Sequence, residues 1–279
     1  MKNKVIILDM GIFTHRTWFA SQAGNIMSEK YTCMMMILSC LKRIGVTKED
    51  WIICACEGGH NWRKDYSVEY KSDRQIIPQI FWDKMNDLLD DIEIATNWCV
   101  VKIPRIEADD IMAVACRYYY PTPVILVTYD HDLEQMFHYS NVKIFSPHPK
   151  SKKYKIKPDN YNAYNQISKQ IYKEVGDGLK SIIQTDADLK TRKMLVNLLE
   201  LPDFVEEAVK RELNKLKFNT KIRPELLPGK KLPQVFEDIY KLDKVITYEE
   251  QVAKLKIKKE RKYKKKKKIK YKKERKEKC

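Results

Sequence analysis

The chain predicts an α/β fold: a parallel sheet flanked by helices, followed by a smaller helical region and a basic tail. Three observations carry that expectation. Short apolar runs such as Val5-Ile6-Ile7-Leu8 and Val124-Ile125-Leu126-Val127 read as strands buried on both faces. Longer segments of helical periodicity alternate with them. Acidic residues gather at the ends of these hydrophobic segments, where an open α/β sheet places its ligands.

Strands are expected at 4–8, 51–56, 98–103, 123–128 and 141–145, with helices near 31–44, 78–93, 107–119 and 132–138. The second element carries Met34, Ile37, Leu38 and Leu41 on one face, a core stripe. Ile80, Leu88, Leu89 and Ile92 give the next helix its packing side. Glu107, Asp109 and Asp110 open an apolar helix, a placement the helix dipole favours, and Asp132 before Leu133 has a helix cap as its rival reading. After Pro147-His148-Pro149 the pattern turns helical: Pro158 opens a segment to about residue 173, Gly176-Asp177-Gly178 breaks it, and helices follow near 188–200, 203–217 and 233–241.

A chain of 279 residues with 43% hydrophobic content can bury a sizeable core. Its apolar stretches fall far short of the roughly 20 residues that span a bilayer, so no membrane association is expected. Met1-Lys2-Asn3-Lys4 runs directly into the first strand without a signal-peptide core, and a cytoplasmic location is expected. Seven cysteines without repeated spacing read as reduced core residues; Cys54-Ala55-Cys56 lacks the second pair that a zinc site requires. No phosphate loop of the Gly-x-x-x-x-Gly-Lys type occurs, which argues against ATP use.

The net charge of +16 is unevenly spread. Residues 254 to 278 hold 17 Lys and Arg against 3 Glu, so all but +2 of it sits in the tail. Such a run either solvates the chain end or binds a polyanion through salt-sensitive counterion release.

The acidic residues point to chemistry. Asp9, Glu107, Asp109, Asp110, Asp130 and Asp132 form one expected metal-binding site, since massed carboxylates repel until a hard cation offsets them. Oxygen donors favour Mg²⁺, with Mn²⁺ as a substitute, and such ions suit phosphodiester hydrolysis. Between residues 60 and 80, Arg63, Lys64, Lys71 and Arg74 interleave with Trp62, Tyr66 and Tyr70, a pattern that grips phosphates and stacks bases.

Ile7-Leu8-Asp9, Glu57-Gly58-Gly59-His60-Asn61-Trp62-Arg63, Tyr70-Lys71-Ser72-Asp73-Arg74, Glu107-Ala108-Asp109-Asp110-Ile111 and Thr128-Tyr129-Asp130-His131-Asp132-Leu133 follow one another in a recognisable order. In that order, over roughly residues 4 to 185, the chain resembles the 5′-nuclease family of phage and bacterial 5′–3′ exonucleases and flap endonucleases, T-even phage ribonuclease H among them. The resemblance implies a PIN-like catalytic domain over 1–150, with a helical arch at about 60–96. It also implies a helix-hairpin-helix-like DNA-binding region over 151–253, which leaves 254–279 as the Lys-rich tail. Asp9, Glu57, Glu107 and Asp109 would serve the first metal, with Asp110, Asp130 and Asp132 completing the cluster. Glu57 stands where the family more often has Asp.

By the same resemblance Lys71, Arg74 and Asp110 are catalytic, and Trp62, Arg63, Lys64, Tyr66 and Tyr70 hold nucleic acid. A second metal would use Asp177. Lys180 replaces that site's other aspartate and weakens it, with Asp186 or Asp188 as a substitute ligand. Two ions, a monomeric protein, replication proteins as partners, and branched or 5′-ended duplex DNA or an RNA:DNA hybrid as substrate are implied. Two other readings stand beside this one: a PIN-type endoribonuclease and a non-catalytic DNA-binding replication protein. His131, between Asp130 and Asp132, is expected to be a neighbour of the site and not a general base.

Overall fold

The computed structural model describes residues 3–67, 70–71, 76–148, 154–155, 157–165, 167, 186–217, 222–229 and 231–240. At its centre lies β1 (Val5–Asp9), whose five residues are all buried. It pairs in parallel with β2 (Trp51–Cys56) on one side and β4 (Val124–Val127) on the other, with Ile6 opposite both Ile52 and Ile125. Beyond these lie β3 (Cys99–Lys102) and β5 (Val142–Phe145), also parallel, and the short β6 (Tyr154–Lys155) runs antiparallel to β5. The order is therefore β3-β2-β1-β4-β5-β6. The chain builds outward from β1 to β3, then returns to lay β4 against β1's other edge. That reversal opens a crevice at the carboxyl ends of β1 and β4.

Sequence periodicity does not predict α1 (Met10–Gln22), which follows β1 directly. Its buried positions are Met10, Phe13, Thr14 and Thr17, at helical spacing but half of them polar. Each threonine hydroxyl donates to a carbonyl one turn back, Thr14 to Met10 and Thr17 to Phe13, so both donors are satisfied within their own helix. Next comes α2 (Glu29–Ile44), started by Ser28, whose hydroxyl accepts from the Tyr31 amide, and ended by Gly45 in the left-handed region at φ 70°. The expected helices at 78–93 and 107–119 are α3 (Gln79–Ala95) and α4 (Ala108–Tyr118). The segment 132–138 is helical as expected, but of the tighter 3-10 kind.

Farther along lie α5 (Asp186–Val196), α6 (Asp203–Lys215) and α7 (Leu232–Tyr240). Of the helix expected from Pro158 to about residue 173, residues 163–165 are helical; 168–185, including Gly176-Asp177-Gly178, lie outside the described residues. The core behind α4 is shared, because Leu198, Leu201, Val205, Val209 and Leu213 cluster with Ile111, Met112 and Ala115. The Trp98 indole donates to the Tyr240 hydroxyl at 2.7 Å and ties α7 to the start of β3. Residues 1–241 form one compact unit, and the tail lies outside the described residues. The six described cysteines are free and buried, as expected of reduced core residues. Among the described residues no helix is long and apolar enough to cross a membrane.

Candidate functional site

The strand ends bring the acidic residues together. Asp9 closes β1, Glu57 follows β2, Asp109 lies in the first turn of α4, and Asp130 and Asp132 follow β4. All five line one cleft of about 670 Å³, shared with Lys71, His15, Ile77 and Tyr129. Thr128, whose part the sequence did not disclose, fixes the middle of the cluster. Its hydroxyl donates to Asp9 Oδ2 at 3.0 Å and accepts from the Asp130 amide at 2.9 Å, while the Asp132 amide donates to Asp130 Oδ1 at 2.8 Å.

Burial and mutual repulsion set the electrostatics. Burial raises the Asp9 carboxyl to about 6, helped by the charge of Asp130 and opposed by the Thr128 hydroxyl and the amides of Ile12 and Gly11. Asp109 is pushed well above the ordinary aspartate range, by burial first and then by Asp130, Asp9 and Glu57, with Lys71 pulling the other way. Among the described residues no three His, Cys, Asp or Glu side chains already close on a point that would hold an ion. The donor chemistry nevertheless fits a hard divalent cation, because every acidic donor is a carboxylate oxygen and two of them carry raised pKa values that a cation relieves.

Three expected site residues have a different place. Trp62 and Arg63, expected to hold nucleic acid, are 0% and 1% exposed. Arg63 forks onto Asp110 (Nη2 to Oδ1 2.7 Å, Nη1 to Oδ2 3.0 Å), reaches Glu107 Oε2 at 2.8 Å, and gives its Nε–H to the Leu195 carbonyl at 2.8 Å. The Trp62 indole donates to Asp110 Oδ2 at 3.0 Å. Asp110, expected to be catalytic, is fully buried and committed to these two neighbours and to the Glu107 amide. These corrections share one cause: a buried guanidinium is stable only when paired, and the acids at the start of α4 pair it.

Glu107, expected as a ligand of the first metal or a group just outside its ligands, is 2% exposed. Oε1 accepts from Asn61 at 2.9 Å and from Lys71 Nζ, while Oε2 accepts from Arg63 and from the Tyr70 hydroxyl at 3.0 Å. Burial would raise its pKa, but Lys71 and Arg63 hold it below the ordinary glutamate range. Asp110 does not line the carboxylate cleft, and Glu107 lines an adjoining cavity that shares Glu57, Lys71, His15 and Ile77 with it. Tyr70 is partly buried, and burial with the nearby Glu107 charge pushes its phenol up, which keeps it a donor. Lys64 and Tyr66 are exposed as a nucleic-acid contact requires. Arg74, Asp177 and Lys180 lie outside the described residues, as do the side chains of Asp186 and Asp188.

The chain has known relatives in sequence and in fold. Residues 4–169 match the family model of the 5′-3′ exonuclease N-terminal, resolvase-like domain. A 5′-3′ exonuclease of Mycoplasmopsis pulmonis (strain UAB CTIP) is 22% identical over 231 residues, 75% of this chain and 75% of that one. The ribonuclease H of Enterobacteria phage T4 is 30% identical over 115 residues, 38% of this chain and 37% of that protein. Among solved structures, T5 5′-exonuclease with bound divalent zinc superposes with a TM-score of 0.51 at 14% identity, over 76% of this chain and 99% of that one. A T5 protein co-crystallised with metal ions gives 0.52 at 13% identity, again over 76% and 99%. These likenesses show the shared sheet and helices. The family match begins at β1 and takes in the strand ends that carry Asp9, Glu57, Asp109, Asp130 and Asp132, so the chain belongs to the 5′-3′ exonuclease family.

Proposed function

We propose that the protein is a Mg²⁺-dependent 5′ nuclease that hydrolyses phosphodiesters near the 5′ end of branched or 5′-ended duplex DNA, and of RNA:DNA hybrids. The observation that carries this reading is the convergence of five carboxylates and Lys71 on a single cleft at the β1/β4 reversal. Bound among those carboxylates, a divalent ion would activate water and offset charge on the phosphate. Asp9, Glu57, Asp109, Asp130 and Asp132 would hold it, with Mn²⁺ as a substitute. Thr128 orients Asp9 and the Asp130 backbone, and Lys71 supplies a cation to the substrate phosphate. Exposed Lys64 and Tyr66 would grip the strand beside the cleft, and Arg74 would act with Lys71. A second ion would use Asp177, weakened by Lys180. The tail at 254–279 would add non-specific phosphate contacts in a cytoplasmic, monomeric enzyme that serves replication or repair beside replication proteins.

The test is cleavage of a 5′-labelled flap duplex with Mg²⁺ by the wild type, Asp130→Ala and Lys180→Asp. Loss of cutting in Asp130→Ala supports the reading, and a gain in Lys180→Asp supports the weakened second site. A wild type that binds the flap tightly and cuts it with neither Mg²⁺ nor Mn²⁺ sinks it.

A further inference from the structure

Lys71 stands at a border. Its side chain is 20% exposed and lines the carboxylate cleft, while its Nζ bonds Oε1 of Glu107, whose side chain is 2% exposed. Its backbone adopts the left-handed region at φ 54°, which turns the chain at the cleft wall. Behind it the charges balance: Glu107 and Asp110 face Lys71 and Arg63. An unpaired carboxylate at such depth would be costly, so a lysine that leaves its partner must not strand it. Glu107 is built for that departure. Without Lys71 it still accepts from Arg63, Asn61 and Tyr70. Arg63 cannot follow Lys71 outward, because Asp110 holds both its terminal nitrogens, Leu195 holds its Nε, and its guanidinium lies 4.5 Å from the Trp62 ring centroid.

We propose that Glu107 is the resting partner of Lys71 and not a metal ligand, and that Arg63 keeps the buried Glu107 carboxylate supplied with charge while Lys71 turns to the scissile phosphate. The inference rests on the nuclease reading above and adds a positioning pair to it. Glu107 and Arg63 act through Lys71, which alone of the three lines the wall that carries Asp9, Asp109, Asp130 and Asp132, while Glu107 faces the adjoining cavity with Glu57. The arrangement gives the lysine a fixed place before substrate arrives and a low cost of leaving it. An acid that fixes Lys71 and an acid that ligates metal behave differently when their charge is removed.

The test uses the full chain and three variants: Glu107→Gln, which keeps the shape of a side chain whose truncation would leave a buried void beside Arg63, Lys71→Ala, and the double variant. Two measurements are made: thermal stability against Mg²⁺ concentration without DNA, and kcat and KM on a 5′ flap. The expected result is a Mg²⁺ midpoint for Glu107→Gln within about twofold of wild type, with kcat reduced about tenfold to a hundredfold, as for a displaced reacting group. The double variant should be no slower than Lys71→Ala alone, because contacts that act through one group are not additive. A midpoint raised about tenfold or more, as loss of metal-site support produces, overturns the proposal. So does a double variant whose losses multiply. Both of those outcomes leave the nuclease reading intact, provided the wild type cuts. A wild type that cuts nothing removes the nuclease reading and this proposal with it.

Discussion

The Thr128 hydroxyl donates to Asp9 Oδ2 at 3.0 Å, joining two residues 119 positions apart. The same oxygen accepts the Asp130 amide, so one side chain orients the ends of both β1 and β4. Thr128→Val keeps the shape and removes both contacts. We expect a loss of about 1–3 kcal/mol, the usual cost of leaving buried polar groups unpaired. Asp9 should titrate higher still, since Thr128 lowers its pKa. Denaturant melts and the Mg²⁺ midpoint at pH 7 check this, the midpoint rising with the harder deprotonation.

Stability should depend on pH in two opposed ways. Asp9 has a folded pKa of about 6 against an ordinary 3.8, so between those values the folded protein binds more protons than the unfolded chain and loses stability as pH rises. Asp109 acts in the same direction. Glu107 is held low, so its contribution is present at neutral pH and fades on acidification below the ordinary 4.5. With EDTA present, Tm should rise from pH 7 to about 5.5 and fall again below about 4. Mg²⁺ at pH 7 should restore what Asp9 and Asp109 cost. A Tm that climbs steadily from pH 5.5 to 7 in EDTA would contradict the assignment.

Arg63 and Lys64 are neighbours with opposite fates. Arg63→Ala strips a buried cation from Glu107 and Asp110 and should cost about 3–5 kcal/mol, with expression falling accordingly. Lys64 is exposed, and Lys64→Ala should stay within about 0.5 kcal/mol of wild type. Its effect should appear in DNA binding instead, as a log Kd against log salt slope reduced by about 1. Equal stability for the two variants would refute the burial argument.

Gly58 has no room for a side chain. A Cβ there would stand 1.7 Å from the Ile103 carbonyl oxygen and 2.9 Å from that of Ile106, both backbone atoms that cannot step aside. Its amide also bonds the Ile106 carbonyl at 2.9 Å. Gly58→Ala should therefore force the β2 end away from the turn before α4, lower stability by about 1–3 kcal/mol and displace Glu57. Circular dichroism melts together with the Mg²⁺ midpoint report both effects.

The sheet was legible because β1, β2 and β4 are nearly unbroken apolar runs with acids at their ends. α1 was not, because Thr14 and Thr17 look exposed in sequence and are buried by bonds within their own helix. β6 is two residues long, too short for any period to show. At the site, the acids of the cleft follow from their place at strand ends. The basic and aromatic stretch around Trp62 misled, since a surface patch and a buried ion pair have the same composition. What separates them is Asp110, 47 residues from Arg63, and no local pattern reveals that pairing. Thr128 was within a recognisable motif, yet its role depends on a neighbour strand.

The strand order also imposes a timetable on synthesis. β1 emerges first, but its partner on one edge, β4, begins at residue 124. A growing chain that has completed β1, β2 and β3 holds Asp9 and Glu57 beside an unfilled edge, and the long-range pairing that closes it is the slow kind. Until residue 130 has been made, two of the five cleft acids do not exist. A chain that stops short of that residue carries three of the five acids, Asp9, Glu57 and Asp109, and lacks the strand end that presents the other two.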